Sequence, residues 1–157
     1  MDVESSGSKA DSGSFPVSIG VAGPEGRSWG RLICPLEYWT HWDDAAEELH
    51  GLSRDMLIDD GHDPFLVCRA MNHEFKGLTL LTDAGSDKRW VEKLFHEVGV
   101  KRAFEIENIT DVFDANLVAA IYDEALERVF PNEPQQDARI MYQIIEKIAP
   151  YRPLDGN

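Results

Sequence analysis

The chain has 157 residues, with 29 Asp and Glu against 15 Lys and Arg, for a formal net charge of −14 at pH 7. Hydrophobic residues make up 43% and aromatics 10%, enough to bury a core and to exclude wholesale disorder, and no apolar run approaches the roughly 18 residues that a membrane span needs. The acidic excess reads first as solubility, and it disfavours a general duplex-binding module while leaving room for a short nucleic-acid end held through cations.

Taken in chain order, Met1-Asp2-Val3-Glu4-Ser5-Ser6-Gly7 has neither the basic nor the apolar stretch of a signal peptide. The Ser/Gly-rich stretch 5–14 predicts a loop. Residues 15–22 alternate and are β-branched, which predicts a strand; Gly23-Pro24-Glu25-Gly26 predicts a turn, and 28–34 the return strand, stopped by Pro35. An irregular stretch carrying Trp39 and Trp42 follows, and Asp44 is expected to cap a short helix over 45–50, with another helical turn at 53–59. Asp63-Pro64 opens a helix over 64–75, in which Phe65, Val67, Cys68, Met71 and Phe75 recur at helical spacing.

Residues 78–81 predict a buried strand, 87–98 a helix with Trp90, Val91, Leu94 and Phe95 on one face, and 103–109 a strand. The span 111–129 is the longest helical pattern, and 134–148 is a last helix striped by Ile140, Ile144, Ile145 and Ile148. This order predicts an α/β sandwich around one mixed sheet, a single domain over 1–150 with a tail at 151–157. Cys34 and Cys68 form no Cys-x-x-Cys, so a reduced, cytoplasmic protein with two small buried hydrophobes is expected.

Three sets of carboxylates could carry chemistry. Asp2 and Glu4 sit two apart, which on a strand puts both on one face, where they repel unless a cation lies between them; a solvated acidic terminus is the plainer alternative. Asp87 follows the 78–81 strand in Thr82-Asp83-Ala84-Gly85-Ser86-Asp87, at a strand end where α/β proteins gather ligands. Its plainer role is a helix N-cap, and Asp83 competes with it for any functional role. Asp137 stands one turn into the last helix, a position often filled by a partner of the helix dipole.

Together and in this order, these motifs resemble the DEDD 3′–5′ exonucleases of the ribonuclease H-like superfamily. Asp2-Val3-Glu4-Ser5-Ser6-Gly7 resembles the first family motif, Ser18-Ile19-Gly20-Val21-Ala22 the strand after it, and His50-Gly51-Leu52-Ser53-Arg54 the segment that carries His-Gly-Ile. Asp83-Ala84-Gly85-Ser86-Asp87 resembles the second motif and Asp137-Ala138 the third. Where the family has a His five residues before that last Asp, this chain has Asn132; where the other version of the motif has a Tyr, it has Glu133.

The resemblance spans about residues 1–148 and implies a ribonuclease H-like three-layer sandwich with its first strand shortened at the N-terminus. It implies two Mg²⁺ or Mn²⁺ ions on Asp2, Glu4, Asp87 and Asp137, roughly 4 Å apart, with Asn132 in the position of the proton-accepting His. The implied activity is phosphodiester hydrolysis at the 3′ end of a short single-stranded nucleic acid. An impaired enzyme, or a non-catalytic binding protein of the same fold, is the alternative that Asn132 raises. Ser5 and Gly7 would approach the substrate, and Trp39 and His50 would line it; for Trp42, packing of the loop onto the sheet is the favoured reading. Lys88-Arg89 could meet a phosphate, although a solvated helix face is the simpler account. A membrane partner is not expected, and a homodimer is left open.

Overall fold

The structure, a computed structural model, describes residues 1–7 and 13–150; half of the predicted 5–14 loop (8–12) and the 151–157 tail lie outside the described residues. Strand β1 (Asp2–Ser5), β2 (Pro16–Ala22) and β3 (Ser28–Leu32) form an antiparallel sheet in the order β1-β2-β3. The β2–β3 hairpin turns through Pro24–Gly26, with Glu25 and Gly26 at φ 58° and 75°. The return strand stops at Leu32, earlier than expected, and Ile33 makes a single parallel bridge to His62.

Helices α1 (Asp44–His50), α2 (Arg54–Asp60) and α3 (Pro64–Glu74) follow. The cap of α1 is Asp43, one residue before the expected Asp44, and it accepts from the Ala45 amide. Next come β4 (Thr79–Thr82), α4 (Gly85–Glu97), β5 (Glu105–Asn108), α5 (Ile109–Val112), α6 (Ala115–Leu126) and α7 (Pro134–Ile148). The protein is therefore α/β.

Two expectations change. The 111–129 pattern is not one helix: Asp114 adopts an extended conformation and caps α6 by accepting from the Asn116 and Leu117 amides, so α7, with 15 residues, is the longest helix among the described residues. A capping aspartate inside an apolar periodicity breaks the helix without disturbing the pattern around it. Nor are the described strands hydrogen-bonded as one mixed sheet. Among the described residues, β4 and β5 pair in parallel as a separate two-stranded unit, and the Met1 ammonium, just ahead of β1, donates to the Leu81 carbonyl of β4 at 2.5 Å.

Strand alternation decides what each face of the antiparallel sheet sees. Val17, Ile19 and Val21 point one way, into a core shared with Trp90, Val91 and Leu94 of α4. Val3 pairs with Ile19 and joins that core. Gly20 points the other way, toward α7, and so do its cross-strand partner Asp2 and, through the Glu4–Ser18 pair, Glu4. A second cluster, with Ile109, Ile121, Met141 and Ile144, fixes α5 and α6 against α7. Cys68 is buried as expected, whereas Cys34 is only half-buried.

The start of α7 rests on a shelf of two glycines. Gly20 and Gly30 are paired across β2 and β3. A Cβ at Gly20 would run into the backbone of Pro134 and Gln135, and one at Gly30 would meet the Gln135 side chain at 2.9 Å. No other residue lets the helix approach this closely.

Gly20→Ala should therefore destabilise by about 3 kcal/mol, lowering Tm by about 6–12 °C. Gly85→Ala, whose Cβ would meet nothing within 4 Å, should leave Tm close to the parent value. Thermal unfolding of the three proteins checks this.

Candidate metal centre

Asp2 and Glu4 reach the α7 side of the sheet by their spacing, and the glycine shelf brings the first turn of α7 over them. Asp137 lies in that first turn. One carboxylate oxygen from each of Asp2, Glu4 and Asp137 lies within 4.8 Å of the other two. Asp137 is 7% exposed. Its carboxylate accepts from the backbone amides of Asn132 and Glu133, yet its Oδ1 is buried with no hydrogen-bond partner among the described residues. A buried carboxylate oxygen without a partner is costly unless something cationic meets it.

The three acids line a cavity of about 190 Å³, together with Asp83, Phe130 and Asn132 among others. Burial pushes the Asp2 carboxyl up to about 6, with the Asp137 and Asp83 charges adding to the rise. Glu4 is pushed up to about 7 by burial, then by the charges of Asp2 and Asp137. Asp137 rises to about 6, again chiefly through burial, against the pull of its two backbone donors.

Asp87 is placed differently from its expected partners. It is 2% exposed and accepts from the Thr82 hydroxyl at 2.5 Å. It neither joins the close trio nor lines the cavity. It is not an N-cap either: α4 starts at Gly85, and the cap position is Ala84, which has no side-chain oxygen to offer. Burial pushes Asp87 up to about 8, opposed by the Thr82 hydrogen bond and helped by the charges of Asp2 and Asp83. Asp83, its competitor in the sequence, is the residue of that loop that reaches the cavity.

Asn132 lies at the cavity, as its motif position implied. It does not cap α7. It adopts a left-handed conformation at φ 58°, and Glu133 occupies the cap position, its carboxylate accepting from the Gln136 side-chain amide instead of capping the helix backbone. Asn is among the few non-glycine residues that tolerate this region. None of the described histidines lines the cavity.

None of the four expected substrate contacts lines the acidic cavity. The Ser5 hydroxyl donates to the Gly7 carbonyl at 2.9 Å. Gly7 is buried where a Cβ would crowd the Ser14 hydroxyl and His41 Nε2, at 2.7 and 2.8 Å. Trp39 is 3% exposed and stacked on Phe15, ring centroids 5.0 Å apart, so it offers no ring face to a base. His50 is 7% exposed; its Nδ1 accepts from the Leu52 amide and its ring meets Trp42 edge to face. Burial lowers the His50 pKa, partly offset by the Ser5 backbone and Glu47. Trp42 packs against the core, as favoured, and donates to Glu47 at 2.6 Å. Sequence reading missed Phe130 and Met141 as apolar walls of the acidic cavity; the Phe130-Pro131 loop ahead of the third motif was their only signal.

Among the described residues, no helix is long and apolar enough to cross a membrane. No known protein-family model matches this chain, and no curated protein is significantly similar to it.

The raised carboxyls fix the sign of the pH dependence. Each holds its proton more tightly folded than unfolded, so the stabilisation is complete below the unfolded value near 4 and is lost as pH rises through about 6 to 8. Without added metal, Tm should fall between pH 5 and pH 8, and Asp87→Asn should flatten the fall. Thermal melts across that range, in buffers of matched ionic strength, read both effects.

Proposed function

We propose that this chain is a DEDD-type exonuclease-like protein with a ribonuclease H-like three-layer fold, acting on a short single-stranded 3′ end with divalent metal. The observation that carries this reading is the convergence of Asp2, Glu4 and Asp137 from two distant segments, with Asp137 Oδ1 buried and bare. Hard oxygen donors of this kind suit Mg²⁺ or Mn²⁺, and the mutual repulsion of the acids is what a cation would relieve. When bound, two such ions polarise the scissile phosphate and an attacking water.

The residues divide the remaining work. Asp2, Glu4 and Asp137 would hold the ions, with Asp87 close by behind Thr82. Phe130 gives the cavity an apolar wall against which a sugar or base can rest. Asn132 can orient a water through its amide, but an amide cannot take up the proton. That placement, with no described histidine at the cavity, favours an impaired enzyme, and it also supports the second reading, a non-catalytic relative that keeps the metal site.

Mn²⁺ should raise Tm, and Asp137→Asn should abolish the shift; a parent protein indifferent to Mn²⁺ would remove the metal centre from consideration.

Asn132→His should increase Mn²⁺-dependent 3′-end hydrolysis of a short single-stranded oligonucleotide by about 10²–10⁴-fold, the usual share of a positioned general base. The left-handed backbone should make that substitution cost about 1 kcal/mol. Release of mononucleotides by the parent, Asn132→His and an Asp137→Asn blank decides between the readings. If the parent is already fast and His adds nothing, the argument about the base fails. If the parent and His variant both match the blank while Mn²⁺ still shifts Tm, the non-catalytic reading stands.

A further inference from the structure

Thr82 ends β4 and Asp83 follows it, and the two neighbours serve different partners. The Thr82 hydroxyl donates to Asp87 at 2.5 Å and accepts from the Ala84 amide at 3.2 Å, which folds the 82–87 corner onto the start of α4. Asp87 is committed to that bond; it is 2% exposed and does not line the acidic cavity. Asp83 is the acid of the corner that does line it. The Tyr122 hydroxyl, from α6, donates to the Asp83 carbonyl at 3.2 Å and holds the residue in place. The charge of Asp83 is felt by both Asp2 and Asp137.

The cavity holds more than a bare ion. Its volume of about 190 Å³ is several times the roughly 30 Å³ that one water occupies in the liquid. Small hard cations such as Mg²⁺ dehydrate reluctantly and keep several waters when carboxylates hold them. Asp2, Glu4 and Asp137 have oxygens close enough together to share an ion, whereas Asp83 lies outside that close trio. No Lys, Arg or His side chain lines the cavity. Asp137, more than nine-tenths buried with its Oδ1 unpartnered among the described residues, is the independent sign that a cation belongs there.

We propose that Asp83, and not Asp87, is the fourth acid of the metal centre, accepting hydrogen bonds from the hydration shell of a divalent ion held by Asp2, Glu4 and Asp137. The proposal rests on the metal-centre reading and departs from the motif resemblance, which gave that place to Asp87. Asp83 is a positioning residue: it orients the waters that the ion keeps and adds negative charge without touching the ion. Acceptors in this outer position usually contribute 10–100-fold to metal affinity. Asp87 instead ties α4 to β4 through Thr82. That role needs an acceptor oxygen and no charge, and an asparagine supplies the oxygen.

Calorimetric titration of the full chain with Mn²⁺ tests this, with Asp137→Asn as the blank and each variant first shown to be folded by its melting curve. Asp83→Asn should raise Kd by about 10–100-fold. Asp83→Glu, which restores the acceptor, should return Kd to within about fivefold of the parent. Asp87→Asn should also stay within about fivefold. So should Glu133→Gln, which removes an exposed charge that Asp137 feels but that does not line the cavity. If Asp87→Asn weakens binding as much as Asp83→Asn, or Asp83→Asn leaves it intact, the proposal is overturned while the metal centre stands. It is overturned in the same way if Asp83→Glu restores nothing. A loss in Glu133→Gln equal to that in Asp83→Asn would reduce the effect to charge at a distance and overturn it too. If the parent takes up no Mn²⁺, the metal centre itself falls and the proposal with it. Should Asp83→Asn not fold, loss of Mn²⁺ binding in Asp87→Asn alone overturns the assignment, and retention of it supports Asp83.

Discussion

The contact between the first turn of α7 and the Gly20–Gly30 pair is the constraint on which the rest depends. Side chains at either position would lift the helix off the sheet. Its seat there converts two unremarkable local facts, a two-residue spacing in β1 and an aspartate in a first turn, into a cluster of three carboxylates. Asp2 is the cross-strand partner of Gly20, so the residue that admits the helix also sets the height of the acid beside it. The same helix carries Met141 and Ile144 into the second core cluster, which locks its long axis. Position at one end and direction at the other leave Asp137 little freedom.

That geometry is bought with electrostatic strain. Asp2, Glu4, Asp87 and Asp137 all hold their protons above the ordinary carboxyl range, and burial is the leading cause each time. Burial rather than mutual repulsion dominates because α7, β1 and the β4–α4 corner close over the acids before any cation is counted. Asp87 is the extreme case: it is the most buried of the four and is held by Thr82, which ties the end of β4 to the start of α4. Asp83, by contrast, stays half-exposed at the mouth of the same corner, where its charge is felt by Asp2, Asp87 and Asp137.

The aromatic residues serve the other side of the sheet. Phe15, Trp39 and Trp42 form a stacked and tilted group, and His50 closes it edge to face. This group pins the segment between β3 and α1 and holds the end of β1, because the Ser6 carbonyl accepts from the Asp43 amide and the Ser6 hydroxyl from the Phe15 amide. Such packing steadies β1, and therefore Asp2 and Glu4, from a distance. It acts on the cavity through the backbone rather than by touching whatever enters it.

Local chemistry was legible in the sequence. β2, α3, α4 and α7 follow from alternation, helical spacing, Asp63-Pro64 and the isoleucine stripe. The common face of Asp2 and Glu4 needs only the two-residue repeat of a strand, and the placement of Asn132 beside Asp137 needs only their separation. The break at Asp114 was written in the sequence too, but an apolar periodicity that runs on past the cap hid it. What the tertiary structure alone decided depends on groups far apart in the chain. Gly20 became a seat for α7 rather than a weak point of a strand because Pro134 and Gln135 arrive there. Trp39 became core because Phe15 lies beneath it. Asp83 and Asp87, four residues apart on one corner, parted company because β1 and α7 left room beside the first and closed over the second. Spacing fixes the direction of a side chain relative to its own backbone; whether it meets solvent, a carboxylate or a ring is set by the elements that pack against it.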